Sequence, residues 1–276
     1  MISIENVTYH YPSSARNVID AFCLRFAPGR VCGLLGVNGV GKTTLLGLMC
    51  GLLRPSAGRV LLGGKDVSKR DPSTMSSLFY VPDEFSLPHI SLESYVKVNF
   101  PFYQSFSREL LNNCLATFGL PSDIDRLGQL SLGQRKKVLL CFAVASGASV
   151  ILMDEPTNGL DIPSKSLFRK VIAQAMTDDR LIVISTHQVH DVEQVLDQIV
   201  VMDNHEIILN ETEADLADKY VFSIVPQSAI PDDAIYFEPT LAGVAIMRPK
   251  SPDDPDTQIN LELLFNAATK GKLKKS

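Results

Sequence analysis

Val31-Cys32-Gly33-Leu34-Leu35 runs directly into Gly36-Val37-Asn38-Gly39-Val40-Gly41-Lys42-Thr43-Thr44. The first five residues form an apolar run of strand length, and Gly36 to Thr43 fit the pattern G-x-x-x-x-G-K-[ST]. Strand, loop and helix start therefore follow one another in the order a phosphate cradle needs. Glycines let the backbone curl so that successive N–H groups aim at phosphate oxygens, and a helix beginning near Lys42 adds its positive end. A nucleoside triphosphate, ATP or GTP, is the guest this arrangement selects. Lys42 is placed to reach the β- and γ-phosphates, the Thr43 hydroxyl to ligate Mg²⁺, and Thr44 to assist at the α- and β-phosphates.

Further along, Val150-Ile151-Leu152-Met153-Asp154-Glu155 is a second buried-strand pattern, ending in two adjacent carboxylates. Alternation along an extended chain points them opposite ways. Asp154 is suited to hold Mg²⁺ and Glu155 to polarise the water that attacks the γ-phosphate, so the pair indicates hydrolysis rather than binding alone.

Other short apolar runs recur at Phe79 to Val81, Leu181 to Ser185 and Ile199 to Met202, with helical patterns between several of them. The spacing predicts an α/β fold with a mostly parallel sheet. Leu110, Leu111, Cys114, Leu115 and Phe118 share one helical face, as do Leu167, Phe168, Val171, Ile172 and Ala175, and both faces read as core. Val138 to Met153 is uncharged, but Ser146, Gly147 and Ser149 interrupt it, so it divides into helix, turn and strand rather than a membrane span. About Asp83 to Ala145 reads as an inserted helical subdomain. Beyond about Asn210 the texture changes to strand-like pieces at Val221 to Val225 and Val244 to Met247, a Pro/Asp-rich loop, and an amphipathic helix from Leu261 to Ala268. The closing Lys270, Lys272, Lys274 and Lys275 are expected to form a solvated tail.

Composition narrows the possibilities. With 45% apolar and 21% charged residues the chain is an ordinary globular sequence, and a net charge of −5 supplies no broad basic field for nucleic acid. The five cysteines lack metal-ligand spacing and read as buried thiols of a reducing cytosol. The N-terminus starts in a strand pattern without the regions of a signal peptide.

A phosphate loop alone serves many enzymes. Leu130-Ser131-Leu132-Gly133-Gln134, lying ahead of Asp154, resembles the LSGGQ signature of ABC ATPases. Asn158-Gly159-Leu160-Asp161 looks like the D-loop of that family, and His187 looks like its switch histidine. Tyr11 sits where the family places an aromatic that stacks on adenine, with Tyr9 the competing choice.

The resemblance covers about residues 1 to 210. It implies a P-loop NTPase (RecA-like) core, an antiparallel β-subdomain from the N-terminal strands and the Arg59 to Leu62 region, and the helical subdomain of about 83–145. Residues 211–276 form a small C-terminal α+β extension. It also implies an ATP-dependent dimer, a homodimer or a pairing with a second ATPase subunit. In that dimer Ser131, Leu132, Gly133 and Gln134 of one chain meet the nucleotide held by the other, and His187 helps place the water beside Glu155.

Two departures stand out. Asp83 occupies the place of a glutamine and is a candidate Mg²⁺ ligand, and Leu132 replaces the first glycine of the signature. By resemblance the chain is the ATP-hydrolysing subunit of an ABC transporter of exporter-like organisation, cytoplasmic, peripheral on the inner face of the cell membrane and driving a separate transmembrane permease. The alternatives are a non-transport ABC ATPase and a nucleotide-gated regulatory module. The aromatic groove from Asp83 to Phe106 is equally a coupling surface or internal packing.

Overall fold

The computed structural model describes residues 1–14 and 16–273. It opens with the antiparallel pair β1 (Ile2–Tyr9) and β2 (Ile19–Phe26), followed by β3 (Arg30–Leu35) and α1 (Lys42–Met49). Next come β4 (Ala57–Leu62), β5 (Lys65–Asp66), α2 (Pro72–Met75) and β6 (Leu78–Val81). The strands β2-β1-β4-β5 make a four-stranded antiparallel sheet, the expected β-subdomain. Along β2 buried and exposed residues alternate from Phe22 to Phe26, because only one face is covered.

The helical stretch contains α3 (Leu92–Asn99), α4 (Arg108–Thr117) and α5 (Leu132–Ala145), and leads into β7 (Val150–Asp154). Ser91 and Ser107 cap α3 and α4 by accepting backbone N–H bonds. Helix α5 is buried on all sides from Val138 to Ala145, because it lies between the sheet and the helical layer. Phe142 is its hub, with ring centroids of Tyr95 at 5.2 Å, Phe106 at 5.3 Å, Phe79 at 5.8 Å and Tyr103 at 6.3 Å.

After α6 (Ile162–Ala175) come β8 (Leu181–Thr186), β9 (Gln198–Asp203) and β10 (Glu206–Thr212). The central sheet runs β10-β9-β3-β8-β7-β6, parallel except for the β9–β10 pair. Every residue of β7 and β8 is buried, as continuous apolar runs in a doubly covered parallel sheet require. All five apolar runs read from the sequence lie in this sheet.

The C-terminal part comprises α7 (Glu213–Lys219), β11 (Tyr220–Val225), β12 (Tyr236–Thr240), β13 (Gly243–Pro249) and α8 (Leu261–Thr269). Its three-stranded sheet runs β11-β13-β12. Phe222, Tyr236 and Met247 join Leu264 and Ala267 in the same apolar cluster as the central sheet. The sequence shows no strand signal at β12, which is half exposed and carries Pro239.

Lys270 is exposed, as expected of the tail, but it is also anchored. Its ammonium is bonded to the Tyr236 hydroxyl and lies 3.6 Å from Glu238, because α8 brings it back over the small sheet. Lys274 and Lys275 lie outside the described residues. No helix among the described residues is long and apolar enough to cross a membrane.

Candidate functional site

A cavity of about 490 Å³ opens beyond the C-terminal ends of β3 and β7, lined by Tyr11, Val18, Asn38, Gly39, Gly41, Lys42, Thr43, Thr44, Asp83, Glu155, Asn158 and His187. Ligand crevices in open parallel sheets form at this end of the strands. Helix α1 starts here with no side-chain cap, so its first-turn N–H groups are turned to the cavity without an internal acceptor. Gly41 precedes it at φ 111°, a conformation open to glycine, and a Cβ there would come within 3.1 Å of Val18.

The Lys42 ammonium donates to the main-chain oxygens of Gly36 at 2.7 Å and Val37 at 3.3 Å, and lies 3.5 Å from Glu155 Oε1. Burial pulls its pKa below the ordinary lysine value, opposed by the carboxylates of Glu155 and Asp154. Val40 and Thr44 are buried, whereas Asn38, Gly39 and Thr43 are exposed. The Tyr11 hydroxyl shares a 2.9 Å hydrogen bond with Thr44 Oγ1, and its ring meets Tyr9 edge-on at 5.1 Å. Tyr9 is buried in the β-subdomain, so Tyr11, 39% exposed, is the ring on the cavity wall.

Asp154, the last residue of β7, and Glu155, the first beyond it, have different partners. Asp154 is buried and accepts from the Ser185 hydroxyl. Burial, and after it the Asp154 carboxylate, push the neighbouring Tyr80 phenol well above its usual range. Glu155 adopts φ 43°, an uncommon region for a residue with a side chain. Its Oε1 meets His187 Nδ1 at 2.8 Å, and its Oε2 accepts from Thr186 Oγ1 at 3.1 Å.

A magnesium triphosphate fits this donor set. The uncapped helix start and Lys42 oppose the phosphate charge, the exposed Thr43 hydroxyl is a hard oxygen donor on the cavity wall, and the Asp154 carboxylate is a second one, 2% exposed behind the lining residues.

Several of the other site residues singled out in the sequence lie elsewhere. Ser131 and Gln134 form a reciprocal capping box at the start of α5, with Ser131 Oγ accepting Gln134 N at 3.2 Å and Gln134 Oε1 accepting Ser131 N at 3.0 Å. These residues, Gly133 and the exposed Leu132 are not among the cavity's lining residues. Asp161 caps α6 by accepting Ser164 N at 2.9 Å and also stands off the cavity.

Asp83 does line the cavity, but its Oδ1 is 3.0 Å from the Lys136 ammonium and both its oxygens accept from Asn158 Nδ2 at 3.3 Å. Sequence reasoning passes over Lys136, because a lysine within Arg135-Lys136-Lys137 has the signal of a solvated helix face. It is in fact 1% exposed.

Residues 19–158 match the ABC transporter family. The chain belongs to that family. As an ABC transporter ATPase it binds and hydrolyses ATP in the service of transport. It is 31% identical to the chelated iron transport system membrane protein YfeB of Yersinia pestis over 76% of this chain and 71% of that protein. It is 30% identical to the manganese transport system ATP-binding protein MntA of Synechocystis, covering 76% and 82% of the two chains. Among solved structures, an ATP-binding subunit of an ABC transporter superposes with a TM-score of 0.70 at 22% identity, over 78% of this chain and 91% of that one. CbiO1 of Clostridium perfringens, part of the cbiONQ transporter complex, gives 0.61 at 26% identity, over 76% and 88%.

Proposed function

We propose that this ABC transporter subunit works as an ATP-dependent dimer on a separate transmembrane permease at the inner face of the cell membrane. The observation that carries this reading is the convergence of Lys42, Glu155 and His187 on one cavity, while the signature residues, outside its lining, leave Ser131, Leu132 and Gln134 exposed at the start of α5. A second ATPase chain, identical or related, brings its signature to this nucleotide, and ATP becomes part of the interface.

In this reading Tyr11 stacks on the adenine. The loop from Gly36 to Gly41 and the start of α1 hold the phosphates, with Lys42 on the β- and γ-phosphates. Thr43 and Asp154 would hold Mg²⁺, which would offset negative charge on the phosphates. Glu155 accepts a proton from the attacking water, and His187 orients that water and the γ-phosphate. Asp83 is reassigned from metal ligand, because taking it for Mg²⁺ removes the counter-ion of a buried lysine.

The permease contact is assigned to the helical subdomain. Phe85, Tyr95, Tyr103 and Phe106 pack against the core, whereas Val98, Phe100 and Phe102 stay 63%, 46% and 66% exposed. Relatives include both a manganese transport protein and a Nod factor export protein, so the proposal is confined to ATP-driven transport.

The test is Mg²⁺-dependent phosphate release by the purified chain, with ATP-dependent mass followed by light scattering. Turnover together with an ATP-dependent doubling of mass is expected. A chain that binds ATP yet stays monomeric at every ATP concentration, including in the Glu155→Gln variant, contradicts the dimer.

A further inference from the structure

Lys136 lies on α5 two residues beyond the last signature residue, Gln134, and is among the largest fully buried side chains of the protein. Its ammonium donates to two acceptors from different motifs: the main-chain oxygen of Glu155 at 2.9 Å and Oδ1 of Asp83 at 3.0 Å. Asp83 follows β6 at the start of the helical subdomain, and its side chain is 39% exposed toward the cavity. Asn158, which donates to Asp83, accepts in turn from Gln188 Nε2 at 3.2 Å, next to His187. One buried cation thus ties the start of the helical subdomain and the signature helix to the main chain of Glu155.

Two physical requirements meet at this ammonium. The first belongs to Glu155, whose φ of 43° persists only where neighbours over-determine it. Its N–H donates to Ser185 O at 3.0 Å, and its carbonyl is fixed by Lys136, so both sides of the residue are held. The second belongs to Lys136, since a buried ammonium is tolerated with a carboxylate partner and is costly without one. A glutamine in the place of Asp83 offers a dipole where this site needs a charge.

Resting on the ATPase reading above, we propose that Lys136 is a positioning residue for hydrolysis. It holds the main chain of Glu155 so that the carboxylate meets both His187 and the attacking water. Asp83 replaces the family's glutamine because it is the counter-ion of Lys136. Asp83 therefore acts on the reaction through Lys136 and not through the metal.

The experiment is a double-mutant cycle on the full chain, with kcat and KM for ATP, nucleotide affinity and melting temperature measured for each variant. Lys136→Met is expected to lower kcat about tenfold or more with KM and nucleotide affinity within about twofold, and Lys136→Arg, which spans both acceptors, to recover most of the loss. Asp83→Asn is expected to lower kcat about fivefold in the wild-type background and to have no further effect in Lys136→Met, where nothing is left for Asp83 to neutralise.

Equal losses from Asp83→Asn in both backgrounds overturn the proposal, as does a Lys136→Met chain with wild-type kcat. If the methionine variant melts too early to assay, Lys136→Gln, neutral and one atom shorter, loses the ion pair with Asp83 and loosens the hold on the Glu155 carbonyl, and is expected to hold KM while lowering kcat. A rise in KM with kcat unchanged refutes the positioning role. Absence of turnover in the wild type overturns the ATPase reading itself and is told apart by the wild-type control.

Discussion

His187 Nδ1 and Glu155 Oε1 lie 2.8 Å apart, joining the residue that follows β8 to the residue that follows β7. The two strands run parallel with Asp154 opposite Ser185, so register brings both strand ends to the cavity, and the turn of Glu155 at φ 43° lets its carboxylate reach His187, one residue beyond Thr186. Glu155→Gln removes the proton acceptor and keeps the shape. Its ATPase rate should fall about 10²- to 10⁴-fold while ATP still binds and the dimer accumulates, as read by phosphate release and light scattering. His187→Ala should lower kcat with little change in nucleotide affinity, and a variant with wild-type kcat removes the histidine from the mechanism.

Gly133 faces the backbone of the loop that follows Glu155. A Cβ placed on it would lie 2.9 Å from the Gly159 carbonyl oxygen, with no flexible side chain to give way. Gly133→Ala should therefore displace that loop and destabilise the chain by about 1–3 kcal/mol, measured by urea denaturation. An unchanged midpoint shows that the two loops are free to part.

The ring of Phe142 is 1% exposed and contacts four other aromatic rings. Phe142→Ala should cost about 3–5 kcal/mol of stability, since the surrounding helices and sheet leave little room to collapse. Phe102→Ala, on the exposed side of the same subdomain, should change the melting temperature very little.

The imidazole of His190 ties α8 to the segment after β8, with Nε2 2.8 Å from Glu262 and Nδ1 3.6 Å from Glu193. Burial pulls its pKa down, but the two carboxylates outweigh burial and hold it above the ordinary value. A raised folded-state value favours the charged form in the fold. Its contribution is complete below the unfolded value of about 6.5 and is lost as pH rises through the higher folded value. Protection of α8 against hydrogen exchange, corrected for intrinsic rates, should thus weaken as pH rises above the unfolded value of about 6.5. Glu262→Gln should flatten that dependence, and an unchanged slope in the variant assigns it to another group.

The sequence by itself determined the nucleotide chemistry, the order of motifs and the central sheet. Gly36 to Thr44 is a local device whose curl and helix start need only their own residues, and β3, β7 and β8 announce themselves as continuous apolar runs. Tertiary structure decided what depends on partners far along the chain. Tyr11 rather than Tyr9 faces the cavity because the β-subdomain sheet buries Tyr9. Phe100 and Phe102 stay out while Tyr103 and Phe106 turn in, a division fixed by the position of Phe142 on another helix. Lys136 reads as one of three solvated cations in a row and becomes buried because the folded chain offers it a carboxylate from residue 83 and a carbonyl from residue 155. Periodicity marks which side chains leave water, but only the assembled chain fixes the charge that meets a buried charge.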